Sequence, residues 1–206
     1  MTTYYIVRHG ETEGNTQKVI QGHTDTPLTE KGIEQAHSIR EQLSHINFSA
    51  VYSSDLGRAV HTAQIFINGG DLNHITTPHL RERCFGKYES FPYAKMHVQT
   101  ENLYNILTSM PYEKRKTMKL EEDIECDEEL IQRFKIFIEE TIGNYKGENI
   151  LVISHGGFMK VLLLELMREN HEYVMTGKFD NTGYIKLTVN GDELNISEVK
   201  GFVPLA

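Results

Sequence analysis

Tyr4 to Val7 is a short continuous apolar run, the pattern of a strand buried on both faces, and it stops at Arg8, His9 and Gly10. After Pro27 and Leu28 a helix is predicted with Thr29 as its N-cap. Its apolar positions Ile33, Ala36, Ile39 and Leu43 fall at helical spacing, and Glu34, Arg40 and Glu41 take the outer face. Ser49 to Asp55 (SAVYSSD) reads as a second strand ending in cap residues. LGRAVHTAQIFI then keeps helical spacing through Ala59, Thr62, Ala63 and Phe66, before a loop over Asn68 to Asp71. Between about Glu82 and Asp127 the periodicity lapses into tyrosines, methionines, the basic run Glu113 to Lys119, and breaks at Pro92 and Pro111. That stretch, about residues 83–127, reads as a cap-like helical insertion over the C-terminal edge of the strands, not a second domain. Periodicity resumes in an amphipathic helix over Glu128 to Tyr145, with Leu130, Ile131, Phe134, Phe137, Ile138 and Ile142 inward. Asn149 to Ser154 (NILVIS) is the most strand-like run, and FMKVLLLELM after it is a buried helix. Finally YIKLTVNGDELNISEV alternates apolar and polar residues about Asn190-Gly191, a hairpin signal. This order of elements predicts one α/β domain over residues 1–206: a three-layer α/β/α sandwich with a mainly parallel mixed sheet and an antiparallel edge.

Composition narrows the function without naming it. The 206 residues suffice for one self-supporting core, and 39% hydrophobic with 24% charged residues is ordinary globular composition. A formal net charge of −8 argues against nucleic-acid and anionic-membrane partners, which call for a broad basic surface. It leaves room for an anionic substrate, because local charge governs a site. The two cysteines, Cys84 and Cys126, show no metal or CxxC spacing, which fits a reducing compartment. With a strand-like run at the N-terminus, no signal peptide and no apolar run of ~20 residues, a cytoplasmic protein is expected.

The run ILVISHGG repeats the opening feature: an apolar strand ends in His-Gly and feeds a helix. His9 and His155 are thus both expected just past the carboxyl end of a buried strand, the edge where open parallel sheets bind ligands. Gly10 and the pair Gly156-Gly157 would let backbone N–H groups approach an anion there, with a helix N-terminus behind them. Either motif alone reads as a surface or core histidine, one of ten in the chain; two after apolar strands shift the reading to a site. Arg58, one turn into a helix after another strand, reads alone as a solvated helix arginine, yet it would reach the same edge. Arg8 abuts a buried strand, where an unpaired charge is costly, so it must find an anion in the protein or in a ligand. Its planar fork suits phosphate oxygens.

VRHGETEGN, QGHTDTPLTEKGIEQA, VYSSDLGRAVHTA, LRERCFGKYES and VISHGG, in this order, resemble the histidine phosphatase superfamily, the phosphoglycerate mutase-like group. The resemblance spans Tyr4 to about Asn181. It implies that His9 is the nucleophile that carries phosphate as phosphohistidine. It implies that Arg8, Arg58 and His155 form the cationic pocket around the phosphoryl group, and that Glu82 is the general acid/base. It places Thr12, Asn15 and Gly156 at phosphate or substrate contacts, and Gln21 and Gly22 in a loop beside the substrate. The chemistry fits these residue types. A neutral imidazole splits one displacement into two, preorganised cations and N–H groups stabilise the phosphoryl oxygens without a metal, and a carboxyl protonates the leaving oxygen.

The resemblance points to the phosphatase branch, acting on small phosphorylated metabolites with no cofactor. The alternative is a cofactor-dependent phosphoglycerate mutase, which would need 2,3-bisphosphoglycerate. Mutases of that kind carry a longer insertion with an arginine pair for the substrate carboxylate. This chain is shorter and has no clear equivalent; Arg115 and Lys116 could substitute, though such a charge run is usually a solvated face. GKYES resembles the phosphatase-branch G-x-W/Y-E-G stretch with Ser90 in place of Gly, and IECDEELIQR stands where a G-E-S block and an Arg are common. Glu125 and Arg133 match that block; Ile124 and Cys126 depart from it, which puts the substrate in doubt more than the chemistry. A non-catalytic binding module would have lost part of the set His9, Glu82, His155, Arg8 and Arg58. A metal hydrolase finds no HExxH or HxH spacing. The terminal hairpin either pairs with a second copy in a homodimer or simply ends the sheet.

Overall fold

The computed structural model describes residues 1–167 and 171–204. β1 (Thr2–Arg8) leads into a short helix α1 (Glu13–Thr16) and then α2 (Glu30–Gln42), where the Thr29 hydroxyl accepts from the Gly32 N–H as the sequence predicts. β2 (Phe48–Ser54), α3 (Gly57–Ile67) and β3 (His74–Thr77) follow, then α4 (Tyr93–Ser109) and α5 (Tyr112–Arg115). α6 (Asp127–Ile142), β4 (Asn149–Ser154), α7 (Gly156–Leu166) and α8 (His171–Met175) precede the hairpin β5 (Gly177–Asn190) and β6 (Glu193–Pro204).

The six strands form one sheet in the order β3-β2-β4-β1-β5-β6; the first four are parallel, and β5 runs antiparallel to both neighbours. Strand pleating sorts alternate residues onto the two faces. Tyr4, Ile6, Ala50, Tyr52, Ile150 and Val152 meet α6 and α7, while Tyr5, Val7, Val51, Leu151 and Ile153 meet α2 and α3. The sandwich is therefore three-layered, and its central strands are apolar throughout because both faces are covered. Among the described residues no helix is long and apolar enough to cross a membrane.

Two strand boundaries differ from expectation. β3 (HITT) has no apolar pattern of its own; it is a short edge strand formed by pairing with β2. β5 begins at Gly177, well before Tyr184, because the polar break Asp180 to Gly183 interrupts the register without ending the strand. α4 begins over the carboxyl ends of the strands. Ser90 and Ile20 bond through backbone at 2.7 Å, Ile20 to Phe91 at 2.9 Å, and Tyr93 to Lys18 at 3.0 Å, fastening it to the segment after β1.

Candidate active site

The site is assembled by strand order. β1 and β4 are parallel neighbours with Arg8 opposite Ser154, and the ladder continues one step through the His9 N–H to the Ser154 carbonyl (3.0 Å). His9 and His155 therefore emerge side by side, their ring centroids 5.2 Å apart. β2 lies on the other side of β4, so α3 starts beside them and carries Arg58 in its first turn, 2% exposed. The reading of Arg58 as a solvated helix residue is thereby corrected: it is among the largest fully buried side chains.

His9 is 3% exposed, and its Nδ1 lies 2.7 Å from the Gly10 carbonyl. A carbonyl only accepts, so Nδ1 carries the proton and Nε2 keeps its lone pair. Burial first, then Arg58 and Arg8, hold the imidazole well below its usual pKa, so it is neutral at pH 7. His155, fully buried, is pushed down in the same way by burial, Arg58, His9 and Arg8. Without an anion beside it, His155 is held towards its neutral form.

Both arginines are tethered by one edge. Arg8 Nη1 donates to the Phe179 carbonyl (2.5 Å), and among the described residues no carboxylate reaches it within 4 Å. Arg58 Nη1 donates to the Thr24 carbonyl (3.0 Å) and Asp25 Oδ1 (2.8 Å), and Nη2 to the Gly22 carbonyl (2.7 Å). Nε of each, and both ring nitrogens of His155, are buried without a hydrogen-bond partner. Buried unpaired polar groups each cost about 1–3 kcal/mol, and the two guanidinium N–H groups with one imidazole N–H leave this cluster able to receive an acceptor with several oxygens.

Glu82 reaches the same place from the irregular segment after β3. Its Oε1 accepts from the backbone N–H of Phe158 (2.8 Å) and Arg83 (2.8 Å), and its Oε2 from that of Gly157 (2.9 Å). It caps α7, whose N-cap residue His155 makes no side-chain cap bond. The glycines serve differently from expectation. The Gly10 N–H bonds Thr62 Oγ1 (3.1 Å), and a Cβ on Gly10 would lie 2.3 Å from the Gly32 carbonyl, so that glycine admits the N-terminus of α2. A Cβ on Gly157 would lie 2.6 Å from Glu82 Oε1, and one on Gly156 3.1 Å from Arg8 Nε; these glycines admit the site's own side chains.

Thr12 and Asn15 form a reciprocal capping box at α1, and Gln21 Oε1 accepts from Thr12 (3.1 Å) and Thr26 (2.7 Å). Gly22, at φ +54°, opens the turn whose next two residues are held by the Glu89 carboxylate. Three residues at the site carried no sequence assignment. Asn181 Nδ2 donates to the His9 carbonyl (3.0 Å) and Asn15 Oδ1 (3.2 Å); the polar break in the alternation of β5 is its only sequence signal. Thr62 ties Gly10 to α3, its hydroxyl donating to the Arg58 carbonyl (2.8 Å). Tyr93, half exposed at the start of α4, lies within electrostatic reach of Glu82, Arg8 and Arg58, and burial raises its phenol pKa. Arg115 and Lys116 are not a solvated face. Arg115 pairs with Asp127 (3.7 Å), and Lys116 with Glu113, Glu128 and Glu165 (3.0–3.6 Å), the last in the final turn of α7, at the opposite end of that helix from Glu82.

The histidine phosphatase superfamily (branch 1) model matches residues 4–200. Adenosylcobalamin/alpha-ribazole phosphatase of Salmonella typhimurium is 32% identical over 168 residues, 79% of this chain and 78% of that protein. Phosphoglycerate mutase-like protein 4 of Arabidopsis thaliana is 35% identical over 159 residues, 76% of this chain and 67% of its own. The solved structure of Bacillus stearothermophilus YhfR superposes with a TM-score of 0.83 at 25% identity, over 98% of both chains. With the family match running almost end to end across this site, the chain belongs to branch 1 of the histidine phosphatase superfamily, as a phosphatase-type enzyme.

Proposed function

We propose that the chain is a metal-independent phosphomonoesterase that hydrolyses small phosphorylated metabolites through a phosphohistidine on His9. One observation carries this reading: the unpartnered buried Nε atoms of Arg8 and Arg58 and both ring nitrogens of His155 converge beside a neutral imidazole with a bare Nε2. His9 Nε2 attacks phosphorus, the bond to the leaving oxygen breaks, and Glu82 supplies that oxygen with a proton. Water then attacks the phosphohistidine, Glu82 takes the proton back, and phosphate leaves with His9 restored. The Nε edges of the two arginines suit the equatorial oxygens, and His155 adds a donor that gains a proton when a dianion lies beside it. Glu82 must carry its proton on the side of the carboxyl away from the α7 N–H groups, because those positions only donate.

The test is turnover with EDTA present, for wild type, His9→Ala and Glu82→Gln, on an aryl phosphate and a panel of alkyl phosphomonoesters. Phosphate release abolished by His9→Ala, and kcat/KM lowered by Glu82→Gln mainly on alkyl esters, is the expected result. Interconversion of 3- and 2-phosphoglycerate with added 2,3-bisphosphoglycerate and no net phosphate release would replace this reading with the mutase.

A further inference from the structure

We propose that the Glu125–Arg133 pair is the positioning device for Glu82, an inference that rests on the acid/base role given to Glu82 above. Residues 81–85 have no regular secondary structure, so their backbone polar groups need partners from elsewhere. Arg133, on α6, supplies them on one side. Its Nη1 donates to the carbonyls of His79 (3.0 Å) and Arg81 (3.1 Å), with Pro78 at 3.4 Å, and its Nη2 lies 3.4 Å from the Glu82 carbonyl. Glu125 closes the other side: its Oε2 accepts from the Cys84 N–H (2.8 Å), and its own N–H donates to the Cys84 carbonyl (3.0 Å). Arg133 Nε and Nη2 grip the two Glu125 oxygens, each at 3.0 Å. The pair, joined across the start of a 16-residue helix, thus takes the Arg81 carbonyl on one side of Glu82 and the Cys84 N–H and carbonyl on the other, while His23 Nε2 meets the Glu82 carbonyl itself at 3.0 Å.

The same guanidinium stacks on the Phe158 ring, 5.7 Å from its centroid, and Phe158 provides one of the N–H groups that receive the Glu82 carboxylate. Arg133 therefore sets the distance between the acid's backbone and the helix end its side chain addresses. The neighbouring arginines are engaged elsewhere: Arg81 forks onto Asp55 (2.7 and 2.5 Å), and Arg83 onto Asp127 (2.5 Å) and the Glu125 carbonyl (2.5 Å). In the order Arg-Glu-Arg, only the middle side chain faces α7. Arg133 acts on the reaction through Glu82. A displacement of the acid by about 1 Å is enough to lower its contribution on the order of 100-fold.

Lysine at 133 keeps the charge and loses the fork. Arg133→Lys should lower kcat/KM, which reports phosphoryl transfer to His9 and not the shared water step, about 10–100-fold on an alkyl phosphate and leave that of an aryl phosphate, whose leaving group needs no proton, within a few-fold of wild type. In a Glu82→Gln background the same substitution should change neither rate further. Glu125→Gln, which keeps an acceptor for Cys84, should show a smaller loss with the same alkyl bias; it carries the test if Arg133→Lys does not fold by circular dichroism. If Glu82→Gln alone lowers kcat/KM of both ester classes equally, the acid role fails and takes the positioning role with it. If Glu82→Gln is selective but the pair's variants slow both classes equally, slow neither, or add in full to Glu82→Gln, the positioning inference alone is overturned.

Discussion

Burying two histidines beside two arginines makes folding stability depend on pH in a defined direction. His9 and His155 are held well below their usual pKa by burial and by Arg58 and Arg8, so the folded chain leaves both unprotonated where the unfolded chain, at about 6.5, takes protons up. The unfolded state binds more protons below that value, so stability is fully present above about pH 6.5 and is lost as pH falls towards the folded pKa values. For one histidine that stays neutral in the folded chain throughout, the loss between about pH 7.5 and 5.5 is at most ~1.4 kcal/mol, and for the pair at most ~2.8 kcal/mol. Urea unfolding at both pH values in sulfate- and phosphate-free buffer, for wild type, His9→Asn and His155→Asn, isolates each share by difference and cancels the other titrating groups. Each variant should lose less stability than wild type over that interval, by up to ~1.4 kcal/mol. Variants whose stability falls in parallel with wild type would refute the claim that the buried imidazoles are neutral.

The same electrostatics predicts that a dianion restores a proton to the site: sulfate affinity, measured by calorimetry in buffers of different ionisation enthalpy, should rise as pH falls, by up to about tenfold per unit for one proton taken up. Binding without proton uptake would count against a neutral His155. Gly32→Ala would place a Cβ 2.0 Å from the Glu11 carbonyl and should lower stability by about 1–3 kcal/mol or more, whereas Gly143→Ala, with nothing within 4 Å and a helical φ of −67°, should be neutral or stabilising by about 0.4–1 kcal/mol; urea midpoints at constant m decide both. Thr29→Ala removes the α2 cap and should cost about 1 kcal/mol with kcat unchanged; a large fall in kcat would mean that this cap also positions the site.

His9, His155 and Arg8 stood out in the sequence because each sits at the end of an apolar strand, whereas Arg58 and Glu82 were singled out only by the resemblance to the histidine phosphatase superfamily. The sandwich was legible for a related reason. Double-sided burial writes continuous apolar runs such as YYIV and NILVIS, and one-sided helices write a repeat near 3.6, so the chain itself carries which surfaces are covered.

Other features depend on residues distant in sequence, and only the tertiary structure decided them. β3 exists because β2 offers it an edge. His155 is neutral because burial and Arg58, 97 positions earlier, act on it together, and no local pattern encodes a desolvation energy. Gly10 admits a helix where a ligand contact was expected, since the close approach is to Gly32. Asn181 and Arg133 reach the site by bonding backbone carbonyls, which every residue has, so nothing in the sequence near His9 or Glu82 marks them as partners. The sequence alone determined the layered fold and the chemical inventory of the site; protonation, tethering and aim came from contacts that exist only once β1, β4 and β2 lie side by side.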